Sequence, residues 1–214
     1  MTTKIKICGV TLPDDAARVA VAGADFIGLN FWPRSKRYLE PHRAPLVAGA
    51  ARGSGAALLV GVFVDADLED VMAIMQHVEL DVIQLHGDED ATTITQIADA
   101  TRRPVWKAVG AASTATIENL HVWPVDAILL DTPSPQRGGT GQTFDWAIAR
   151  EARLRHPARK LVLAGGLDAG NVAAAIQAVA PWAVDVASGV EAGPGIKDPA
   201  KIAAFIAAIR DHDL

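Results

Sequence analysis

Lys4-Ile5-Lys6-Ile7-Cys8-Gly9 reads as a short strand with two unlike faces, and seven more runs of the same kind follow it. Side chains alternate along a strand, so Ile5 and Ile7 share one face, and Lys4, Lys6 and Cys8 share the other. An apolar outer face and a polar inner face ending in a cysteine suit a barrel strand that leads into a site. The later runs are Asp25–Phe31, Leu58–Val64, Asp81–Leu85, Val105–Val109, Asp126–Asp131, Lys160–Ala164 and Ala183–Ala187, short and rich in β-branched residues.

Helical signals fill the intervals. Pro13-Asp14-Asp15 opens a segment ending near Gly23, and Asp67 precedes Leu68, Val71, Met72 and Met75 at helical spacing. Asp88-Glu89-Asp90, Phe144-Asp145-Trp146, Asp168 to Asn171, and Asp198-Pro199 start four more, with weaker signals after Pro41 and Ser113. Strict alternation of strand and helix implies parallel strands with crossover helices. Eight such units in 214 residues, about 27 residues each, predict an α/β (β/α)₈ barrel as one domain over residues 1–214. The competing doubly wound sheet lacks its mark, because no Gly-x-Gly-x-x-Gly follows the first strand.

Half of the residues are apolar but only 5% are aromatic, so Ala, Val, Ile and Leu must build most of the core. A net charge of −5 with no basic run argues against nucleic acid as a partner. One cysteine excludes an intrachain disulfide and any multi-cysteine zinc site. The longest apolar run, Ala56 to Val64, is too short to span a bilayer. Met1-Thr2-Thr3-Lys4 enters the first strand without the apolar stretch of a signal peptide. A soluble cytoplasmic protein without membrane contact is the expectation.

A parallel barrel gathers its strand ends at one mouth, where reactive side chains meet. Cys8 closes the first strand; a lone cysteine is most often a small buried hydrophobe, and once deprotonated it is a nucleophile or a base. Asp131 closes Asp126-Ala127-Ile128-Leu129-Leu130, either as a catalytic carboxyl or as the organiser of the turn Thr132-Pro133-Ser134-Pro135. Gly165-Gly166 and Ser188-Gly189 follow strands seven and eight, the recurrent phosphate loops of such barrels. Gly138-Gly139-Thr140-Gly141-Gln142-Thr143 lacks the lysine of a P-loop and suits a hinged lid. Arg34-Ser35-Lys36-Arg37-Tyr38 is either a solvated basic loop or a clamp for a carboxylate. His86 reads as structural or substrate-contacting rather than metal-bound, since no second ligand stands at suitable spacing. Asp185, on the strand that borders the first in a closed barrel, belongs near Lys6 and Cys8, as an orienting group or half of an ion pair.

Together these pieces resemble the phosphoribosylanthranilate isomerase family. The resemblance runs through KICGVT (Lys6–Thr11), GADFIGLNFWPRSKRYL (Gly23–Leu39), VGVFVD (Val60–Asp65) and DVIQLHGDE (Asp81–Glu89). It continues through WKAVG (Trp106–Gly110), ILLDT (Ile128–Thr132), GGTGQTFDW (Gly138–Trp146), AGGLDAGNV (Ala164–Val172) and VDVASGVEAGPGIKD (Val184–Asp198). It implies a barrel without a cofactor or metal, with Cys8 as general base, Asp131 as general acid and Arg37 on the substrate carboxylate. Gly165, Gly166, Ser188 and Gly189 would hold a phosphate, with His86 and Asp185 also contacting the substrate. Asn30 and Asp65 depart from the commonest pattern, where an apolar residue and an asparagine stand.

The implied reaction is an Amadori rearrangement in tryptophan biosynthesis, by a monomer or homodimer. It asks opposite things of two groups. The acid must carry a proton near neutrality, and the base must lose one from a free-cysteine pKa of about 8.5, which Lys6 would assist. A metal-dependent pentose-phosphate epimerase would need paired His and Asp ligands, and only His86 is offered. A non-catalytic phosphate-binding barrel would have no use for Cys8 and Asp131.

Overall fold

Ile5 and Ile7 are fully buried in the layer between strands and helices, whereas Lys6, between them on β1 (Lys4–Cys8), is fully buried on the barrel side. Alternation along one strand thus separates two cores. The computed structural model describes residues 2–132 and 144–213. The further barrel strands are β2 (Phe26–Asn30), β3 (Leu58–Phe63), β4 (Val82–Leu85), β5 (Val105–Gly110), β6 (Ala127–Asp131), β7 (Lys160–Leu163) and β8 (Ala183–Val186). Neighbours pair in parallel all the way round, and β8 closes on β1 through Lys6–Asp185 and Ile7–Val186. This is the expected (β/α)₈ barrel.

The helices are α1 (Pro13–Val21), α2 (Ala44–Ser54), α3 (Leu68–Met75), α4 (Ala91–Thr101), α5 (Thr114–Ile117), α6 (Trp146–Arg155), α7 (Val172–Val179) and α8 (Pro199–His212). Four start as the sequence predicts, because an aspartate accepts an N–H that the first turn leaves unpaired. Asp67 takes Asp70 N–H, Asp90 takes Thr93 N–H, Asp145 takes Ala147 N–H, and Asp198 takes those of Ala200 and Lys201. The two weaker signals come out unequally. A 3₁₀ turn, Pro41–Arg43, leads into a full α2, while after Ser113 only a four-residue α5 forms. Ser113 makes no capping bond there.

Three strand starts fall one residue later than the reading above, for one physical reason. Asp25, Asp81 and Asp126 do not begin their own strands but accept N–H groups of the strand before. Asp25 Oδ2 takes Ile5 N–H at 2.9 Å, Asp81 Oδ2 takes Leu59 N–H at 2.7 Å, and Asp126 Oδ2 takes Val105 N–H at 2.8 Å. Each caps an N–H at the start of β1, β3 or β5, where backbone donors need partners.

Few aromatics are present, but three gather inside the barrel. Phe26, Trp106 and Trp182 pack with ring centroids 4.9–5.7 Å apart, at or next to the starts of β2, β5 and β8. Burying one such ring contributes roughly 1.5–3 kcal/mol. With that end filled, polar side chains collect at the other, where the strands finish. Between β8 and α8 lies an antiparallel hairpin not expected from sequence, β9 (Glu191–Gly193) with β10 (Ile196–Lys197). The glycine-rich stretch read as a lid, Gly138–Thr143, lies outside the described residues, as do Pro133, Ser134 and Pro135 of the turn after Asp131. No helix among the described residues is long and apolar enough to cross a membrane.

Candidate active site

Cys8 ends β1 with Gly28 of β2 beside it. A Cβ at Gly28 would stand 2.7 Å from the Cys8 sulfur, so glycine leaves the thiol its room. Lys6, two residues earlier on the same face, donates to Asp185 Oδ2 at 2.9 Å, which places Asp185 where strand order predicts it. The electrostatic expectation for Cys8 needs correcting. Burial pushes the thiol up; Lys6 draws it down and Asp185 opposes Lys6, while Lys197 also draws it down. Burial prevails, so the Cys8 pKa lies above its ordinary value. Lys6 does pull in the expected direction, but Asp185 partly neutralises it and removal from water outweighs the remainder.

Asp131 ends β6 and is 7% exposed. Thr132 N–H donates to its Oδ1 at 2.7 Å, so Asp131 also organises its own turn. Its Oδ2 lies 3.3 Å from His86 Nε2, and His86 Nδ1 lies 3.1 Å from the Gln84 amide nitrogen. With that amide donating, the imidazole carries its proton on Nε2 and donates it to Asp131. His86 therefore meets the carboxyl. Gln84 is a residue that sequence reasoning missed, although its place two residues before His86 on a strand puts both on one face. Gln84 Oε1 and Asp185 Oδ1 are buried acceptors without a partner among the described residues.

The loops after β7 and β8 touch each other. Gly165 and Gly166 have φ of +88° and +61°, in the left-handed region that glycine enters freely. A Cβ at Gly189 would run into the Leu167 carbonyl, and one at Gly165 into Thr132 Oγ1. Asn171 Nδ2 holds the Gly166 carbonyl at 2.9 Å, while Asp168 N–H donates to Asn171 Oδ1. Ser188 and Gly189 open a short 3₁₀ turn against this braced loop. The result is a small backbone surface in which Gly165 packs against the Thr132 side chain and Gly189 against the Leu167 carbonyl.

Arg37 is neither a solvated loop residue nor free. Its methylenes cross Gly9, where a Cβ would collide with them, and it makes a two-bond ion pair with Glu191. Nε reaches Oε1 at 2.8 Å and Nη2 reaches Oε2 at 2.7 Å. Glu191 raises the Arg37 pKa, and its own is lowered because Arg37 and Lys197 outweigh its burial. Nη1 has no partner among the described residues, so one edge of the guanidinium stays available. Arg34 and Lys36 are exposed on the same loop. Glu191 and Lys197 were not foreseen; the signal was Gly193-Pro194-Gly195, a turn flanked by opposite charges.

The two atypical positions have local explanations. Asn30 Oδ1 accepts Trp32 N–H at 2.9 Å, turning the chain after β2. Asp65 sits at φ +52°, a conformation that Asp and Asn tolerate, and accepts Asp88 N–H at 2.6 Å.

Thiol, carboxyl, arginine edge and glycine loops all stand at the strand-end mouth of one barrel, so proton transfer on an anionic substrate is the chemistry they can perform. The family model for N-(5'-phosphoribosyl)anthranilate (PRA) isomerase matches residues 5–208. The N-(5'-phosphoribosyl)anthranilate isomerase of Thermotoga maritima is 42% identical over 203 residues, covering 95% of this chain and 96% of its own. A crystal structure of phosphoribosyl anthranilate isomerase from the same organism superposes with a TM-score of 0.89 at 40% identity, covering 98% of this chain and 100% of that one. A crystal structure of phosphoribosyl anthranilate isomerase in complex with reduced 1-(o-carboxyphenylamino)-1-deoxyribulose 5-phosphate gives a TM-score of 0.85 at 38% identity with the same coverage.

Proposed function

The chain belongs to the N-(5'-phosphoribosyl)anthranilate isomerase family and is an isomerase of tryptophan biosynthesis; from that premise we propose how its residues divide the reaction. The substrate N-(5-phosphoribosyl)anthranilate becomes 1-(2-carboxyphenylamino)-1-deoxyribulose 5-phosphate. Asp131 gives its proton to the furanose ring oxygen, and the ring C–O bond breaks to leave a Schiff base. The Cys8 thiolate then takes the proton from C2′, and the electron pair moves to form an enolamine. Tautomerisation of the enolamine gives the ketose product, and the proton held by Cys8 returns to solvent or to Asp131.

One observation carries this reading: Cys8 and Asp131 end different strands at the same mouth, each inside its own hydrogen-bonded surroundings. His86 and Thr132 N–H hold the Asp131 carboxyl in one orientation. Backbone N–H groups of Gly165, Gly166, Ser188 and Gly189 would take the phosphate. The open Nη1 edge of Arg37 would take the anthranilate carboxylate, and the unpartnered Asp185 Oδ1 a substrate hydroxyl or the anilino N–H. We also assign the protein to the cytoplasm as a monomer or homodimer, which sedimentation would resolve. The assay is loss of phosphoribosylanthranilate fluorescence with chelator present. Turnover abolished by chelator, or retained without Cys8, would overturn the division of roles.

A further inference from the structure

The hairpin β9–β10 carries two buried charges to which the reaction above gives no task. Lys197 is 2% and Glu191 7% exposed. Lys197 Nζ donates to the carbonyl of Cys8 at 2.6 Å, to the carbonyl of Ala187 at 3.2 Å and to Glu191 Oε1 at 2.9 Å. Glu191 in turn holds Arg37 by two bonds. A single ammonium therefore touches the strand end that bears the thiol, the residue before the Ser188–Gly189 loop, and the carboxylate that grips Arg37.

The hairpin is itself fastened on several sides. Thr11 Oγ1 donates to the Gly195 carbonyl at 2.7 Å, Lys197 N–H to Asp15 Oδ2 at 2.8 Å, and Lys201 Nζ to the Glu191 carbonyl at 2.7 Å. Gly195 N–H reaches Glu191 Oε1 at 3.2 Å. The β1–β8 ladder ends at the Ile7–Val186 pair, one residue before Cys8 and Ala187. Backbone carbonyls beyond a ladder need new partners, and Lys197 supplies one donor to both. Apolar side chains of equal volume often serve a buried site as well or better, so what matters here is where the bonds of these charges end.

We infer that Glu191 and Lys197 are positioning residues for the isomerisation, Glu191 aiming Arg37 at the substrate carboxylate and Lys197 setting Cys8, the Ser188–Gly189 loop and that clamp in one register. The inference rests on Arg37 as the carboxylate anchor. Preorganisation of this kind matters because misplacement of about 1 Å costs on the order of a hundredfold.

The test compares Glu191→Gln, Lys197→Met and Arg37→Ala on phosphoribosylanthranilate and on its aniline analogue, which lacks the carboxylate. Circular dichroism checks the fold of each variant. Glu191→Gln is expected to raise KM about tenfold for the natural substrate, with kcat within about threefold and the analogue little affected. Lys197→Met is expected to lower kcat on both substrates. Cys8, the only cysteine, is faced by Lys6, Asp185, Lys197 and Arg37. Its alkylation by iodoacetamide should therefore move to higher pH in Lys197→Met. If Glu191→Gln costs both substrates equally while Arg37→Ala remains selective for the carboxylate, the inference falls and the anchor stands. If Arg37→Ala is itself unselective, the anchor reading fails first. Unchanged kcat and alkylation in Lys197→Met overturn the role of Lys197. Should that variant not fold, Lys197→Arg replaces it, keeping the charge on a planar fork; wild-type kcat in Lys197→Arg would likewise overturn the role.

Discussion

Two buried Lys–Glu pairs flank the mouth of this barrel, alike in chemistry and different in what they touch. Lys107 Nζ donates to Glu89 Oε2 at 2.9 Å and to the Gly87 carbonyl at 2.5 Å. Glu89 also accepts the N–H groups of Asp65 and Gly87. Beyond the bond between the two, these go to backbone groups, and Lys107 Nζ lies 5.9 Å from the centre of the Trp123 ring, so the pair fastens the loops after β3 and β4 to each other. Lys197–Glu191 also meets carbonyls at strand ends, but one of these belongs to Cys8 itself, and its bonds run on to the Arg37 guanidinium. A buried ion pair is thus no mark of function by its chemistry; what matters is whether its further bonds end on groups that meet substrate.

That contrast breaks first if the thiol side holds no base. Cys8→Ser is nearly isosteric but far too weak an acid to lose its proton near neutrality. Turnover should fall by a hundredfold or more, as removal of a general base typically costs, with folding and substrate binding kept. Single-turnover kinetics beside circular dichroism decides it. A variant above about a tenth of the wild-type rate would make Cys8 a packing residue and leave Lys197 nothing to position. Asp131→Asn should be comparably severe on the other side of the mouth, since an amide has no proton to give the ring oxygen.

The wild-type thiol sharpens the picture through its pH dependence. Burial raises the Cys8 pKa, and a raised pKa means the thiol form persists to higher pH. Alkylation should accordingly be slow at pH 7 and reach half its maximum above the free-cysteine value of about 8.5. A midpoint below that value would show that Lys6 and Lys197 outweigh burial.

Arg37→Ala follows in size. A hydrogen bond to a charged group is worth roughly 1.5–3 kcal/mol, so catalytic efficiency should drop about ten- to a hundredfold. The aniline analogue should lose much less. Gly189→Asp puts bulk against the Leu167 carbonyl and a negative charge into the anion loops. KM should rise and weak inhibition by inorganic phosphate should disappear; unchanged inhibition would place the phosphate elsewhere.

The barrel and most of the individual residues of this site could be read from sequence because their signals are local. Ile5, Ile7 and Cys8 declare their faces by alternation, and Asp67, Asp90, Asp145 and Asp198 stand directly before the helices they cap. What escaped is non-local. Glu191 meets Arg37 across 154 positions, and nothing near Arg37 announces a carboxylate already in its fork. Asp25, Asp81 and Asp126 looked like strand beginnings because their partners, Ile5, Leu59 and Val105, belong to the preceding strand. The direction of the Cys8 shift escaped for a related reason: a nearby lysine is visible in sequence, while the water removed from around the thiol is not.

The smallest catalytic effect is expected from Glu89→Gln, and that smallness is what the comparison requires. Gln keeps the shape of Glu89 but removes its charge, leaving Lys107, 3% exposed, without a counterion, and it sets an NH₂ group among the donors Asp65 N–H, Gly87 N–H and Lys107. Removing one partner of a buried ion pair typically costs on the order of 3–5 kcal/mol, so the urea midpoint should fall clearly. Catalysis should change little, by about threefold or less, and equally for the natural substrate and the aniline analogue, because the loop it fastens meets the site residues through His86, whose contacts are with Asp131 and Gln84 and not with Cys8 or Arg37. Glu191→Gln makes the same chemical change in the matching pair, and there the loss should be selective for the carboxylate. Were Glu89→Gln to show that selectivity too, the two pairs would no longer differ in kind, and a general loosening of the mouth would explain both.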